Sequence, residues 1–448
     1  MAELDAGGRG QEPTNESLYQ RGLAVIPGGV NSPVRAFRSV GGTPYFVARG
    51  EGAYVWDVEG TRFTDYVQSY GASILGHANP KVIEAVRSAA LLGTTFGAPT
   101  EGEVRLAEAL CERVPGMEQV RLVSSGTEAA MSALRLARGV TGRSKVIKFA
   151  GHYHGHSDAL LAAGGSGVAD QGLSGSAGVT DGAVADTIVA PWNVVPVIDE
   201  NVAVVCVEPV AANMGLVPAR DGFLADLRAA CDRAGALLLF DEVITGFRVD
   251  HGGATSLLGV RPDVWCFGKV IGGGLPVGAF GASAEIMSNL APLGGVYQAG
   301  TLSGNPLATA AGLAVLGELT PSAYEQLIGT ATTLADGLAA AFAAAGVEAQ
   351  VPRVGPLVGL FFGPERPVDY DTAKRSVDLG HYPRWFHGML ERGIALAPGP
   401  YEVMFPSLAH SPADIAHTLE AAAEVAADMV AAAERADEIE AADSQETS

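Results

Sequence analysis

The chain has 448 residues, of which 48% are hydrophobic, and 50 acidic against 29 basic side chains give it a formal net charge of −21. This length allows two or three domains with large cores, while the charge argues against nucleic acid and anionic membrane as binding partners. The four cysteines are far apart without a CxxC pair, which gives no sign of a disulfide framework or a zinc site.

Residues 1–75 begin with a polar, glycine-rich stretch and continue into a small antiparallel region. Residues 1–15 predict a disordered tail. Because they contain no signal-like leader, and because no apolar run in the chain reaches ~18 residues, we expect a cytoplasmic protein. The segment 16–75 predicts a short helix from Ser17, a turn-rich stretch ending at Arg35 and an antiparallel meander over residues 45–66. Arg35 suits a carboxylate ligand, although an exposed arginine without a ligand is the simpler interpretation.

Residues 76–320 alternate between helical and strand-like patterns, which predicts a parallel sheet with crossover helices. A strand at 120–123 leads through Ser125, Gly126 and Thr127 into a helix at 128–138. Such a connection can bind an anion, because free N–H groups and the positive end of the helix dipole meet there. The same residues would also serve as an ordinary helix cap.

Three histidines, His152, His154 and His156, follow the next predicted strand at 145–149. We expect no metal site there, because no cysteine or carboxylate ligand pattern accompanies them and Gly155 indicates a turn. Residues 160–185 are rich in Gly, Ser and Ala, which predicts a long mobile loop that acts as a lid.

Two predicted buried strands end in chemically useful residues. Strands are expected at 202–207, 237–240 and 264–267, and the last two run into Asp241 and Lys269. Functional groups of open α/β sheets gather outside the carboxyl ends of the strands, so neighbouring strand ends would place this carboxylate and this amine across one cleft. The pair suits pyridoxal phosphate, whose aldehyde forms a Schiff base with lysine and whose pyridine nitrogen is kept protonated by a carboxylate. A helix-capping aspartate and a solvated lysine are the alternative interpretation.

The C-terminal third of the chain has a different pattern of helical and strand-like segments. Residues 321–433 predict a smaller α+β lobe with strand-like patterns at 357–362, 394–397 and 403–405, a helix around 385–392 and a last helix from about 412. Residues 434–448 are acidic and predict a disordered, solvated tail.

Six segments together resemble the glutamate-1-semialdehyde 2,1-aminomutases of the class III aminotransferase group: PGGVNSPVRAF, YHGH, FDEVITGFR, GKVIGGGLPVGA, QAGTLSGNP and PSLAH. The resemblance runs from about Ser17 to the last helix. It implies an α/β fold of the PLP-dependent transferase fold type I, with a mostly parallel central sheet, helices on both faces and a smaller α+β lobe. It also implies pyridoxal 5'-phosphate and pyridoxamine 5'-phosphate as the two cofactor forms, and no metal.

The resemblance also assigns roles to individual residues. Lys269 is similar to the Schiff-base lysine and proton shuttle of the family, and Asp241 to the partner of the pyridine nitrogen. The residues implied in cofactor binding are Ser125, Gly126, Thr127, Tyr153, Asn213, Asp241, Lys269 and Thr301, the last of which would reach the phosphate from the other subunit. The residues implied on the substrate side are Ser32, Arg35, Ser166 in the gating loop, and Glu402.

The implied reaction converts (S)-4-amino-5-oxopentanoate to 5-aminolevulinate through a diaminovalerate intermediate, in tetrapyrrole biosynthesis. The implied partners are this small-molecule substrate, a second copy of the chain in a homodimer, and glutamyl-tRNA reductase as an upstream enzyme. Two alternatives stay open: an ω-aminotransferase with separate donor and acceptor, and a non-catalytic cofactor-binding protein on the same fold. Tyr70, Ser124 and His152 depart from the common family residues, which affects expected substrate contacts rather than the reaction class.

Overall fold

The N-terminal region is helical and then antiparallel in a computed structural model that describes residues 12–162 and 175–446. Helix α1, Asn15–Leu23, begins two residues earlier than predicted because Thr14 caps it and accepts the Ser17 N–H at 3.1 Å. The predicted meander is confirmed by three antiparallel strands, β1 Val47–Glu51, β2 Tyr54–Asp57 and β3 Arg62–Asp65. Of the disordered tail predicted at residues 1–15, residues 1–11 lie outside the described residues, and Asn15 already belongs to α1.

A seven-stranded sheet forms the centre of the large lobe. In chain order its strands are β4 Gln119–Val123, β5 Lys145–Phe149, β6 Thr187–Ala190, β7 Val202–Val207, β8 Leu237–Asp241, β9 Val264–Phe267 and β10 Gly278–Ala282. Their spatial order is β4-β10-β9-β8-β7-β5-β6, with β10 antiparallel to both neighbours and the other pairs parallel. The predicted, mostly parallel sheet is therefore confirmed, while β6 and β10 were not predicted.

Helices cover both faces of this sheet. The helices of this region are α2 Pro80–Ala90, α3 Glu101–Arg113, α4 Gly126–Thr141, α5 Asp181–Val184, α6 Phe223–Ala234, α7 Gly253–Leu258, α8 Ala284–Met287 and α9 Pro306–Glu318. On β9, Trp265 and Phe267 pack with α3 and α9, whereas Val264 and Cys266 pack with α4 on the other face. Strands buried on both sides must be apolar throughout, which explains their continuous hydrophobic runs.

The C-terminal lobe mixes long helices with very short strands. Its elements are α10 Pro321–Ala345, β11 Ala349–Gln350, β12 Arg353–Val354, β13 Leu357–Val358, β14 Phe361–Phe362, α11 Tyr370–Asp378, α12 Tyr382–Glu391, β15 Ile394–Ala395 and α13 Pro412–Glu446. The single strand predicted at 357–362 is wrong: two strands with different partners flank Gly359, whose Cβ would lie 2.6 Å from Leu216. The tail predicted from residue 434 is also corrected, because α13 continues to Glu446.

The N-terminal segment and the C-terminal lobe share one sheet and one core. Strand β15 pairs in parallel with β3, with Ile394 opposite Thr64. Phe37 and Tyr66 lie in the same buried cluster as Leu334 and Trp385. The domain bounds predicted at 15/16, 75/76 and 320/321 stay predictions, but the N-terminal segment and the C-terminal lobe pack as one body around this core.

Helix α10 is the one helix in the described ranges that is long and apolar enough, by length and composition, to cross a membrane. Its buried residues Ala331, Leu334, Leu338 and Phe342 belong to the core of the C-terminal lobe. We therefore interpret its apolar character as that of a core helix.

Candidate active site

The ends of β8 and β9 bring an acid and an amine to one cavity. The two strands are parallel neighbours, with Asp241 opposite Cys266, and Lys269 follows β9 after Gly268. Asp241 and Lys269 both line a cavity of about 240 Å³. The arrangement expected from the carboxyl ends of neighbouring strands is thus present in the structure.

Lys269 is half-buried and has an unusual backbone conformation. Its φ of 48° places it in the left-handed region, at the start of the short turn Lys269–Gly272. Burial lowers the pKa of its amine, against the opposing effect of the carboxylates of Asp241, Glu402 and Glu208. A lowered pKa increases the fraction of neutral amine near pH 7, which is the form that acts as nucleophile or base.

Asp241 is oriented by two hydrogen bonds. His154 Nδ1 donates to Asp241 Oδ2 at 2.7 Å, and the Val243 N–H donates to Oδ1 at 3.0 Å. An ionised carboxylate only accepts hydrogen bonds, so the proton of this pair lies on His154 Nδ1. Burial lowers the pKa of His154, whereas its bond to Asp241 raises it. The imidazole therefore serves as a fixed donor to the acid.

A second carboxylate, Glu208, holds the backbone around the cavity. Its two oxygens accept the N–H groups of Tyr153 at 2.7 Å and of Ala212 at 2.9 Å. Burial raises the pKa of Glu208 to about 7. Tyr153 and Asn213 line the cavity, so Glu208 fixes both loops that carry these two residues.

The N-terminus of α4 forms another wall of the cavity. Ser125 is the N-cap, and its Oγ accepts the Glu128 N–H at 3.2 Å. Gly126 and Thr127, which also line the cavity, contribute the other N–H groups of this first turn. Backbone approaches closely here: at Gly155, with φ of 84°, a Cβ would lie 2.6 Å from Thr127 Oγ1. The combination of open N–H groups, the helix dipole and a close glycine fits an anion such as phosphate.

A larger cavity of about 620 Å³ is lined mainly by residues of the N-terminal segment, among them Arg35 and Tyr70. Burial raises the pKa of Tyr70, the carboxylate of Glu402 raises it further, and Arg35 lowers it. Because the same Glu402 also acts on Lys269, its charge lies within electrostatic reach of both cavities.

The structure brings together seven of the predicted site residues in the first cavity. They are Ser125, Gly126, Thr127, Tyr153, Asn213, Asp241 and Lys269. Arg35 lines the second cavity, and Glu402 borders a small pocket beside Tyr382. Ser32 is half-buried and Thr301 is exposed, and neither lines the first cavity of this single chain. Ser166 and the rest of 163–174 in the predicted lid lie outside the described residues, whereas its end contains the short helix α5.

Three contributors were not recognised from the sequence: His154, Glu208 and Val243. Glu208 directly follows β7 and Asp241 is the last residue of β8, so the strand-end rule that singled out Asp241 could have found Glu208 as well. The histidines serve separate partners: His154 contacts Asp241, His152 accepts the Glu208 N–H, and His156 contacts Thr127. In the part of the chain that the structure describes, no group of His, Cys, Asp or Glu could hold a metal ion.

Comparison with known proteins gives consistent matches over nearly the whole chain. The family model "Aminotransferase class-III" matches residues 37–432. A glutamate-1-semialdehyde 2,1-aminomutase of Roseiflexus castenholzii is 54% identical over 418 residues, which covers 92% of this chain and 96% of that protein. The protein of the same name from Neisseria gonorrhoeae is 52% identical over 426 residues, covering 93% and 99%.

Solved structures with the same fold include both transaminases and aminomutases. An omega-transaminase from Sphaerobacter thermophilus superposes with a TM-score of 0.84 at 34% identity, covering 94% of this chain and 99% of that one. A lysine-to-alanine variant of a glutamate-1-semialdehyde aminomutase from Pseudomonas aeruginosa PAO1, in complex with PMP, superposes with a TM-score of 0.80 at 26% identity, covering 92% and 93%. These neighbours agree with the predicted fold type I architecture.

Proposed function

The chain belongs to the class III aminotransferase family, and we infer that it converts (S)-4-amino-5-oxopentanoate to 5-aminolevulinate, the reaction of the glutamate-1-semialdehyde 2,1-aminomutases. The observation that carries this conclusion is the shared cavity of Lys269 and Asp241, in a chain whose relatives have that name. The reaction exchanges amino groups within one carbon skeleton through diaminovalerate, and it needs neither an oxidant nor a second substrate.

The residues of the first cavity fit pyridoxal 5'-phosphate. Its lining combines a fixed carboxylate, an amine, the N-terminus of a helix and the aromatic Tyr153. These match a pyridine nitrogen, an aldehyde carbon, a phosphate and a flat ring, respectively. When bound, this group supplies an electron-withdrawing ring and, in its pyridoxamine form, an exchangeable amine.

We propose the following roles for the residues of this chain. Asp241, oriented by His154, holds a proton on the ring nitrogen, and Lys269 carries protons between carbon atoms, an effect typically worth ~10²–10⁴-fold in rate. Ser125, Gly126 and Thr127 bind the phosphate, Tyr153 contacts the ring and Asn213 its oxygen. The lowered pKa of Lys269 supports this role, because a neutral amine can accept a proton near pH 7.

On the substrate side, we propose that Ser32 and Arg35 bind the carboxylate, with Ser166 in the covering loop. Arg35 supports this role by its place in the wall of the second cavity, where a guanidinium can bind a carboxylate through two parallel hydrogen bonds. Glu402 adds a negative charge within reach of Lys269 and Tyr70. A second substrate carboxylate at this place would be repelled, which favours the semialdehyde over glutamate.

The test is turnover with the semialdehyde alone. The purified protein should form 5-aminolevulinate without any added amino donor or acceptor, and Lys269→Ala should abolish this turnover while the protein remains folded. The spectrum recorded before and after substrate addition should show a change of cofactor form in the unsubstituted protein. Absence of product from semialdehyde alone would remove the aminomutase assignment.

The alternative function is that of an ω-aminotransferase, and the structural match to an omega-transaminase supports it as a second candidate. Such an enzyme would need a separate donor and acceptor. Formation of 5-aminolevulinate only when an external amine such as alanine is present would favour it.

We further propose that the active unit is a homodimer in which Thr301 reaches the phosphate of the other subunit. Thr301 is exposed in the loop before α9, and residues of α9 line one surface pocket together with Leu92 and Phe96. Leu91 and Leu92 are each 82% exposed, and Phe96 is 54% exposed. An apolar surface of this kind marks a protein interface. Light scattering during size exclusion should give twice the chain mass, and Leu91→Asp should shift the protein towards monomer.

Two proposals rest on the family resemblance: a cytoplasmic location and a contact with glutamyl-tRNA reductase. The reason for the contact is that the reductase forms the reactive semialdehyde, which direct transfer would protect from water. Co-purification of the two proteins, and a lower yield of free semialdehyde when both are present, would support the contact.

A further inference from the structure

The connection between β3 and α2 contains an unusual left-handed turn. Four consecutive residues have positive φ: 42° at Gln68, 53° at Ser69, 55° at Tyr70 and 97° at Gly71. Residues with a Cβ adopt this region as isolated residues rather than in runs. Contacts from elsewhere in the molecule must therefore hold the turn 68–71 in place.

The beginning of the turn is held by Asp65. Its Oδ1 accepts the Val67 N–H at 2.8 Å and its Oδ2 accepts the Gln68 N–H at 3.1 Å. The Gln68 side chain in turn donates to the Asp65 carbonyl at 3.0 Å. These bonds fix the entry of the turn. Near its exit the Ser73 N–H donates to the Gln68 carbonyl at 3.1 Å, and the Gly71 carbonyl has a partner from another part of the chain.

The end of the turn is held by Arg248, which is fully buried. Its Nε donates to the Gly71 carbonyl at 3.0 Å, and its Nη1 donates to the Pro406 carbonyl at 3.1 Å. Its guanidinium carbon lies 5.2 Å from the centre of the Phe405 ring. Gly71 packs on the same ring, because a Cβ there would lie 2.9 Å from Phe405 and 3.4 Å from Arg248 Nε. Arg248 thus joins the turn 68–71 to residues 405–406.

The burial of this cation is costly, and its partners are neutral carbonyl oxygens. Burial lowers the pKa of Arg248 to about 9, and among the described polar atoms its Nη2 has no hydrogen-bond partner. A hydrophobic residue of similar size would fill this space at lower cost. The presence of an arginine here is explained by its planar guanidinium, which can bind two backbone segments at once.

The turn carries Tyr70, which lines the second cavity together with Arg35. We propose that Arg248 is a positioning residue that holds the turn 68–71 so that Tyr70 faces the substrate carboxylate region beside Arg35. The identity of the substrate in this statement rests on the proposed function. Arg248 itself contacts neither cavity in the described structure; it acts through the turn.

The first test is Arg248→Lys, which keeps the positive charge but cannot join both carbonyls through a planar fork. We expect the KM for semialdehyde to rise between about 10-fold and 100-fold through misplacement of Tyr70. We expect kcat, the cofactor absorbance band and the pH profile of kcat to stay close to those of the unsubstituted enzyme, because the charge near Lys269 is retained. Gly71→Ala disturbs the same turn without changing Arg248 and should raise KM in the same way.

A double-mutant cycle separates positioning from general damage. In a Tyr70→Ala background, Arg248→Lys should change KM by less than about 2-fold, because the residue through which it acts is gone. Its full effect in that background would overturn the proposal, as would a loss of kcat or of the cofactor band without a change in KM. If Arg248→Lys does not fold, the same double-mutant cycle with Gly71→Ala tests whether the turn acts on KM through Tyr70.

Binding of pentanoate, a five-carbon carboxylate without reactive groups, gives a readout that needs no turnover. Calorimetric titration of the holoenzyme should show a weakening in Arg248→Lys parallel to the change in KM. Unchanged pentanoate affinity would contradict the proposal. Failure of the proposed function would instead appear as absence of 5-aminolevulinate from the unsubstituted enzyme, with the pentanoate comparison still valid.

Discussion

Replacement of His154 by phenylalanine tests whether Asp241 depends on its buried donor. The bond from His154 Nδ1 to Asp241 Oδ2 is 2.7 Å long, and the side chains are 0% and 5% exposed. A hydrogen bond to a charged group contributes about 1.5–3 kcal/mol, and its loss leaves a buried carboxylate oxygen without that donor. At 1.36 kcal/mol per factor of ten, kcat/KM for 5-aminolevulinate formation should fall by about 10-fold to 150-fold.

The assay compares kcat/KM, the absorbance of the bound cofactor and thermal unfolding. His154→Phe should lose turnover and shift the cofactor band, whereas His154→Gln, which keeps an N–H donor, should recover part of both. His417→Phe replaces an exposed histidine on the last helix and should behave as the unsubstituted enzyme. If His154→Phe retains full turnover and the original band, the imidazole does not orient Asp241 and the reasoning fails.

Two further predictions concern the walls of the same cavity. Burial raises the pKa of Glu208 to about 7, above the usual value of 4.5, so its protonated form stabilises the fold at low pH and this contribution is lost as pH rises through 7. Between pH 5 and pH 8, the unfolding free energy of the unsubstituted protein should therefore decrease relative to that of Glu208→Gln by up to roughly 3 kcal/mol, as urea titrations at both values would show. Gly155→Ala places a Cβ 2.6 Å from Thr127 Oγ1 at a φ of 84° and should weaken cofactor binding, measured by equilibrium dialysis. Gly182→Ala, where a Cβ meets nothing within 4 Å, is its matched control, and equal affinities of the two variants would contradict the close approach.

Elements with a strong local signal were predictable from the sequence. Helix Glu101–Arg113 has such a signal at both ends, because Thr100 and Glu103 form a capping box and Arg113 lies in the last turn. The strands Val202–Val207 and Val264–Phe267 were also predicted with their observed bounds, since each is a continuous apolar run buried on both faces.

Strand β10 was missed because its sequence, GAFGA, has a low intrinsic preference for strands. Its glycines are required by close tertiary contacts instead. A Cβ at Gly278 would lie 2.3 Å from the Ser125 carbonyl, and one at Gly281 would lie 2.7 Å from the Gln119 carbonyl. Both contacts involve residues more than 150 positions earlier in the chain, so no local pattern could reveal them.

The candidate site likewise contains residues that local sequence patterns predict and residues that they do not. Asp241 and Lys269 could be predicted because each follows a recognisable buried strand, and parallel strands end at one edge. The role of His154 could not, because its partner lies 87 residues away and is reached through a loop rather than a strand. The separation of Arg35 from the first cavity likewise depends on how the N-terminal segment packs on the C-terminal lobe.

The backbone of Lys269 allows a last prediction about the cost of placing the amine. At a φ of 48°, a residue with a Cβ carries a penalty of about 1–2 kcal/mol that glycine does not, and only part of this is offset by the greater freedom of glycine in the unfolded chain. Lys269→Gly should therefore be more stable to urea than Lys269→Ala, by about 1 kcal/mol, although glycine usually destabilises ordered backbone. Both variants lack the amine, so the comparison isolates the backbone. If the alanine variant is the more stable one, the left-handed conformation is not imposed on Lys269, and the orientation of its side chain towards Asp241 must come from side-chain packing alone.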